Sequence, residues 1–120
     1  MIRARKGHKF GAVRTEVDGV KFASKAEARR YAELKMLEKA GKIRGLVLQP
    51  KYPLYAYCAR ESHGWEPRVI GNYIADFSYL DKQGNQIIED VKGMKTPMYR
   101  WKKRHFEIQQ GITITEITSR

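Results

Sequence analysis

Three charged side chains interrupt apolar patterns in the stretch YIADFSYLDKQGNQIIEDVKG, residues 73–93: Asp76 in a first alternating run, and Asp90 and Lys92 in a second. Side chains on a strand alternate between faces with period two. Ile74, Asp76 and Ser78 therefore share one face of the first run, opposite Ala75, Phe77 and Tyr79. In the second run Ile88, Asp90 and Lys92 share a face, opposite Ile87, Glu89 and Val91. A three-residue loop of Lys82, Gln83 and Gly84, with the glycine left-handed, sets Asp76 directly across from Asp90. A slip of one residue brings Glu89 there instead, but only Asp90 shares a face with Lys92.

Directly opposed side chains have Cβ atoms about 4.5–5.5 Å apart, and two carboxylates at roughly 5 Å repel by about 3 kcal/mol at an effective dielectric of about 20. A cation relieves that repulsion. Carboxylate oxygens are hard ligands suited to magnesium, which takes one or two of them, keeps several waters and binds phosphate oxygens. An ammonium beside the ion positions a water or stabilises charge on a transferring phosphate. The chemistry indicated is metal-assisted transfer of a phosphate. Acid, any residue, then lysine is a common triplet in so charged a chain, recurring at Glu33 to Lys35, and a solvated sheet face is the plain alternative. What sets Asp90 and Lys92 apart is a partner strand that carries a same-face acid.

These residues need a scaffold, and the remaining pattern supplies one. Thr15 to Phe22 reads as a hairpin turning at Asp18-Gly19, lying over the start of a first helix. That helix is expected from Lys25 to Ala40, with Ser24 as N-cap, Glu27 completing a capping box, and Gly41 as the stop. Glu27 has two readings. The cap accounts for it fully, yet Tyr31 and Leu34 follow one and two turns on, so Glu27 also begins the stripe that faces the sheet and can reach the ion of Asp76 and Asp90. Arg29, Arg30, Glu33, Lys35, Glu38 and Lys39 read as a solvated face, with Arg29 and Arg30 candidates for the DNA backbone.

A strand over Leu46 to Leu48 ends at Gln49-Pro50, where Gln49 orients a water or ion ligand or makes local hydrogen bonds. Tyr52 to Ala59 suits a strand, and Arg60 to Arg68 a loop or hairpin end whose Trp65 stacks on bases or packs at a subunit contact. Thr96 and Pro97 open a second helix, expected to run to Gln110 and stop at Gly111, that groups Arg100, Lys102, Lys103 and Arg104. Ile112 to Thr118 is a final alternating strand. Strand, helix, strand at this spacing implies a parallel pair. The fold class expected is α/β, with a mixed central sheet flanked by helices.

A chain of 120 residues makes a single domain with a modest core. Its net charge of +11 points to a polyanionic partner, nucleic acid before membrane. Residues 1–10 read as a mobile basic arm, with Arg3, Arg5, Lys6 and Lys9 tracking phosphates, and Lys95 joins the helix cations as a DNA contact. One cysteine, Cys58, rules out an internal disulfide and a cysteine-rich zinc site, and the three histidines have no ligand spacing. There is no membrane span or secretory signal, so the expected setting is the cytoplasm of a bacterial or phage-infected cell, with no small-molecule cofactor.

A helical Glu, a strand Asp, and Asp-x-Lys on the next strand resemble the PD-(D/E)xK nuclease superfamily, which has the restriction-endonuclease-like fold. The segments RTEVDGVKFASKAEARRYAELK, LVLQP, YIADFSY and IIEDVKG are more closely similar to a phage family of small nucleases related to Holliday junction resolvases. The likeness covers the chain from about Arg14 to Arg104. It implies that Glu27, Asp76 and Asp90 bind magnesium, for which manganese substitutes, that the Val91 backbone carbonyl completes the coordination, and that Lys92 works beside them. Two departures stand out: Ala75 replaces the usual proline, which performs no chemistry, and Asp90 replaces the more frequent glutamate, shortening the reach by one methylene. The implied activity is a structure-specific endonuclease cutting four-way DNA junctions as a homodimer, since two strands need two sites. The alternatives are a nuclease of the same fold that nicks or trims DNA intermediates, and a basic DNA-binding protein without catalysis.

Overall fold

The computed structural model describes residues 14–57 and 66–118. The expected arm with Arg3, Arg5, Lys6 and Lys9, together with Cys58 and Trp65, lies outside the described residues. The described chain is a mixed α/β arrangement of eight strands and two helices: β1 (Thr15–Val17), β2 (Val20–Phe22), α1 (Lys25–Lys39), β3 (Arg44–Leu48), β4 (Lys51–Tyr57), β5 (Pro67–Ile74), β6 (Phe77–Leu80), β7 (Gln86–Lys92), α2 (Pro97–Gln110) and β8 (Thr115–Thr118).

A four-stranded sheet in the order β3-β6-β7-β8 forms the centre, antiparallel except for the parallel β7–β8 pair that the strand, helix, strand spacing predicts. The helices take opposite faces. Ala28, Tyr31 and Leu34 of α1 pack with Phe22, Ile43, Phe77 and Tyr79, which places the first hairpin over α1 as expected. Tyr99 and Phe106 of α2 pack with Leu54, Tyr73, Ala75, Ile88 and Ile114. Odd residues of β6 thus meet α1, while Ile88 of β7 meets α2, the partition that period-two alternation dictates.

Turns and caps follow local chemistry. Asp18 and Gly19 both have positive φ, 52° and 80°, as a two-residue hairpin turn demands. Ser24 accepts a hydrogen bond from the Glu27 N–H at 3.1 Å and Thr96 one from the Tyr99 N–H at 3.1 Å. Pro97 opens α2, and left-handed Gly111 closes it.

Three boundaries differ from expectation. The run starting at Tyr73 is not one strand: Tyr73 and Ile74 end β5, Ala75 and Asp76 form a bend, and β6 begins at Phe77. Pro67 and Arg68 belong to β5 and not to a loop, because Tyr57 and Ala56 of β4 pair with them, and proline is tolerated at the first residue of such a strand. The last strand begins at Thr115 and not Ile112, since the Ile114 N–H donates to the Glu107 carboxylate at 2.8 Å instead of joining the ladder with β7.

The bend organises the site. Leu48 pairs with Phe77 on one side of it and Lys51 with Ile74 on the other. Between these pairs the Gln49 N–H donates to the Asp76 carbonyl at 2.9 Å and the Ala75 N–H to the Pro50 carbonyl at 3.1 Å. β3–β4 and β5–β6 are therefore one long hairpin, in continuous register across the bend from Val47–Ser78 to Leu54–Gly71 and kinked at Gln49-Pro50 and Ala75-Asp76. Gln49 absorbs the kink with φ of 49°. Beyond the bend the β4–β5 ribbon leaves the central sheet, while β7 continues beside β8. A fork opens there.

Candidate active site

Asp76 stands in the fork by virtue of the bend, and Asp90 reaches it from β7. Gly84, with φ of 86°, closes the three-residue loop, and the Asp81 N–H meets the Asn85 carbonyl at 2.9 Å, so the register is the expected one as far as its last pair, Phe77 opposite Glu89, and Asp76 lies just beyond it beside Asp90. The Asp76 N–H donates to the Glu89 carbonyl at 3.1 Å, and Asp76 Oδ2 accepts from the Val91 N–H at 2.7 Å. The Asp90 carboxylate lies near enough to Asp76 to disfavour a second negative charge there.

Asp90 is buried, with 2% of its surface exposed. The hydroxyl of buried Tyr73 donates to its Oδ2, and Lys92 Nζ lies 3.3 Å from its Oδ1. The same ammonium sits over the ring of Tyr99, 4.1 Å from the centroid. Lys92 is thus held between a carboxylate and an aromatic face, both fixed by packing.

Burial pushes the Asp76 carboxyl up to about 7, with the negative charge of Glu27 adding to the rise and the Val91 N–H opposing it. Glu27 is itself raised, first by burial; its bond from the Ala23 N–H and the nearby Lys92 work the other way, and Asp90 adds to the rise. Each acid feels the others. The Glu27 carboxylate is engaged with the Ala23 N–H, which departs by one residue from the expected capping box. Among the described residues, no three histidine, cysteine, aspartate or glutamate side chains stand together as ligands for one metal ion. The fit to a divalent ion therefore rests on the Asp76–Asp90 pair: all-oxygen, with Asp90 buried and Asp76 partly so, and held by the Val91 N–H, the Tyr73 hydroxyl and Lys92. That donor set suits magnesium.

The DNA-contact candidates fall into distinct settings. Arg29 is exposed on α1. Arg30 is committed to an ion pair within the protein: its Nε donates to Glu89 Oε1 at 2.8 Å and its Nη2 to Oε2 at 2.6 Å. Glu89 is 1% exposed and also accepts from the Tyr79 hydroxyl. The reason lies in spacing, since Arg30 is three residues from Glu27 and shares its sheet-facing stripe. A carboxylate on the apolar Ile87–Glu89–Val91 face of β7 demanded a buried cation, and that was the signal for Arg30. Lys95 and Lys103 both pair with Glu116 of β8, Arg100 is exposed near them, and Lys102 is half-buried. Gln49 is exposed and works through its backbone N–H. Tyr73 and Tyr99 had no signal beyond the rule that a buried tyrosine hydroxyl finds a partner.

A family model described as "Protein of unknown function (DUF1064)" matches residues 7–118, and the chain belongs to that family. No curated protein and no solved structure matches it. Among the described residues, no helix is long and apolar enough to cross a membrane.

Proposed function

We propose that this DUF1064 member is a magnesium-dependent, structure-specific DNA endonuclease of restriction-endonuclease-like fold, resolving four-way junctions by paired phosphodiester cleavage. One observation carries the proposal: the carboxylates of Asp76 and Asp90 are drawn together in the fork with the Lys92 ammonium 3.3 Å from Asp90. Two acids and one lysine, partly withdrawn from solvent and brought together by β7 and the bend at Asp76, make a costly arrangement that a fold has no structural need to keep.

Asp76 and Asp90 would hold the ion with the Val91 carbonyl, and Glu27 would join them by leaving the Ala23 N–H. Bound there, magnesium or manganese would lower the pKa of a water and neutralise charge on the scissile phosphate. The chain's own groups do the rest. Asp76 gives up its proton to become a ligand. Lys92 Nζ, restrained by Asp90 and the Tyr99 ring, orients the attacking water and faces the charge that develops on the phosphate. Tyr73 fixes Asp90 through its hydroxyl. The net charge of +11 supports a nucleic-acid substrate, and the preference for a four-way junction draws on the likeness to junction resolvases. Cutting two opposed strands then requires a two-fold homodimer.

A basic DNA-binding protein without catalysis is the rival that one observation favours, since the Glu27 carboxylate is engaged with the Ala23 N–H. A labelled four-way junction and a matched linear duplex, each with and without magnesium, separate the two. The expected result is magnesium-dependent paired cuts in the junction, abolished by Asp90→Asn with binding intact. Cleavage that survives Asp90→Asn overturns the assignment, and cutting of the duplex alone moves it to a nicking or trimming nuclease.

A further inference from the structure

The hydroxyl of Tyr99, whose ring carries Lys92, reaches Glu116 in a groove of ≈ 350 Å³ lined by Lys95, Arg100, Lys103, Arg104, Glu107 and Glu116. Three donors converge on one carboxylate in it. Lys95 Nζ is 2.9 Å from Glu116 Oε1, Lys103 Nζ is 3.5 Å from Oε2, and the Tyr99 hydroxyl donates to Oε2 at 2.7 Å. These contacts hold the Glu116 carboxyl down to about 2, the bonds from Lys95 and Tyr99 contributing most. Lys103 also lies 3.9 Å from Glu107. Four cations and two carboxylates leave the groove with surplus positive charge. Among the described residues neither Arg100 nor Arg104 forms an ion pair, although the Arg100 Nε donates to the Lys95 carbonyl at 3.4 Å.

Two ammonium groups and a phenol gathered on one anionic group, flanked by two guanidinium groups without carboxylate partners, are the donor set that grips a phosphate. A neutral ligand would leave this charge unbalanced. Tyr99 ties the groove to the candidate site, because its ring carries Lys92 while its hydroxyl holds Glu116. We propose that this groove seats a backbone phosphate of the DNA strand, and that Glu116 occupies the seat in the free protein until that phosphate displaces it. The proposal rests on the nuclease reading only for the identity of the polyanion. Glu116 then acts as an internal competitor that discriminates against weakly placed strands, since every productive complex must first expel it.

The test is equilibrium binding of a fluorescent DNA duplex to the full chain in EDTA, over a series of salt concentrations. Without divalent ions there is no cleavage, so the outcome is independent of the Asp90→Asn assay. Glu116→Gln is expected to tighten binding by about three-fold to ten-fold, while Glu16→Gln, the same charge change on exposed β1, leaves it within about two-fold. The double variant Arg100→Ala, Arg104→Ala is expected to weaken binding at least about ten-fold and to lower the salt slope by about two. Equal tightening by Glu116→Gln and Glu16→Gln overturns the proposal, as does a double variant whose salt slope is unchanged. If Glu116→Gln does not fold, the double variant decides alone.

Discussion

The raised carboxyl of Asp76 makes the site sensitive to pH in a defined direction. An aspartate raised from its ordinary value to about 7 is protonated more readily in the folded chain than in the unfolded one. The stability it contributes is fully present below the ordinary carboxylate range and is lost as pH rises through about 7. Asp76→Asn, which cannot ionise, is therefore expected to gain on the order of 2 kcal/mol over the parent at pH 8, and little at pH 4, in urea titrations at both values. Magnesium should reverse the sign for the parent alone, raising its Tm at pH 8 while leaving Asp76→Asn unmoved. Arg30 makes the opposite kind of prediction. Truncating it to alanine leaves the Glu89 charge buried without a counter-ion, so Arg30→Ala should cost about 3 kcal/mol or more of stability, read by denaturant unfolding. A contact that served DNA alone would leave stability unchanged. Asp76, Asp90 and Lys92 were legible because alternation assigns faces without knowledge of the tertiary fold. The Arg30–Glu89 pair was not, because it depends on how α1 rotates over the sheet.

Among elements, the β6–β7 loop decides whether two acids meet, and its length and glycine were readable from the sequence. At Gly84 an added Cβ would meet nothing closer than Arg44 Nη2 at 3.9 Å, so only the positive φ opposes substitution. Gly84→Ala is expected to cost about 1 kcal/mol while retaining metal-dependent activity, since the register survives. Inserting one residue in the same loop should instead abolish activity, by moving Asp90 to the face now held by Glu89. The bend at Ala75-Asp76 left no mark of its own, as an apolar alternating run passes through it without glycine or proline. Its trace lay on the partner, where Gln49-Pro50 reads as the end of a strand. Break and partner break are one event in the structure, recognisable only once the pairing of β3 with β6 is known.

For the whole molecule, the net charge of +11 is the excess that remains when every acid is matched by a cation, and cations of α2 cluster on a groove reached by the Tyr99 hydroxyl. DNA affinity is accordingly expected to fall steeply between about 50 and 200 mM salt, with a slope that reports the number of phosphates engaged. Light scattering should return twice the chain mass of 14.0 kDa if junction cleavage is paired. The α/β class and the parallel β7–β8 pair followed from element order, whereas the separation of the β4–β5 ribbon did not. Continuous register through the bend also bears on how the chain acquires its shape. A ladder of neighbouring pairs can zip from one end, so the Asp76 bend forms when the β4–β5 pairing arrives at it, ahead of the crossover that brings β8 to β7. Weakening β4–β5 contacts should then slow refolding, while weakening β8 should chiefly hasten unfolding, in stopped-flow chevrons.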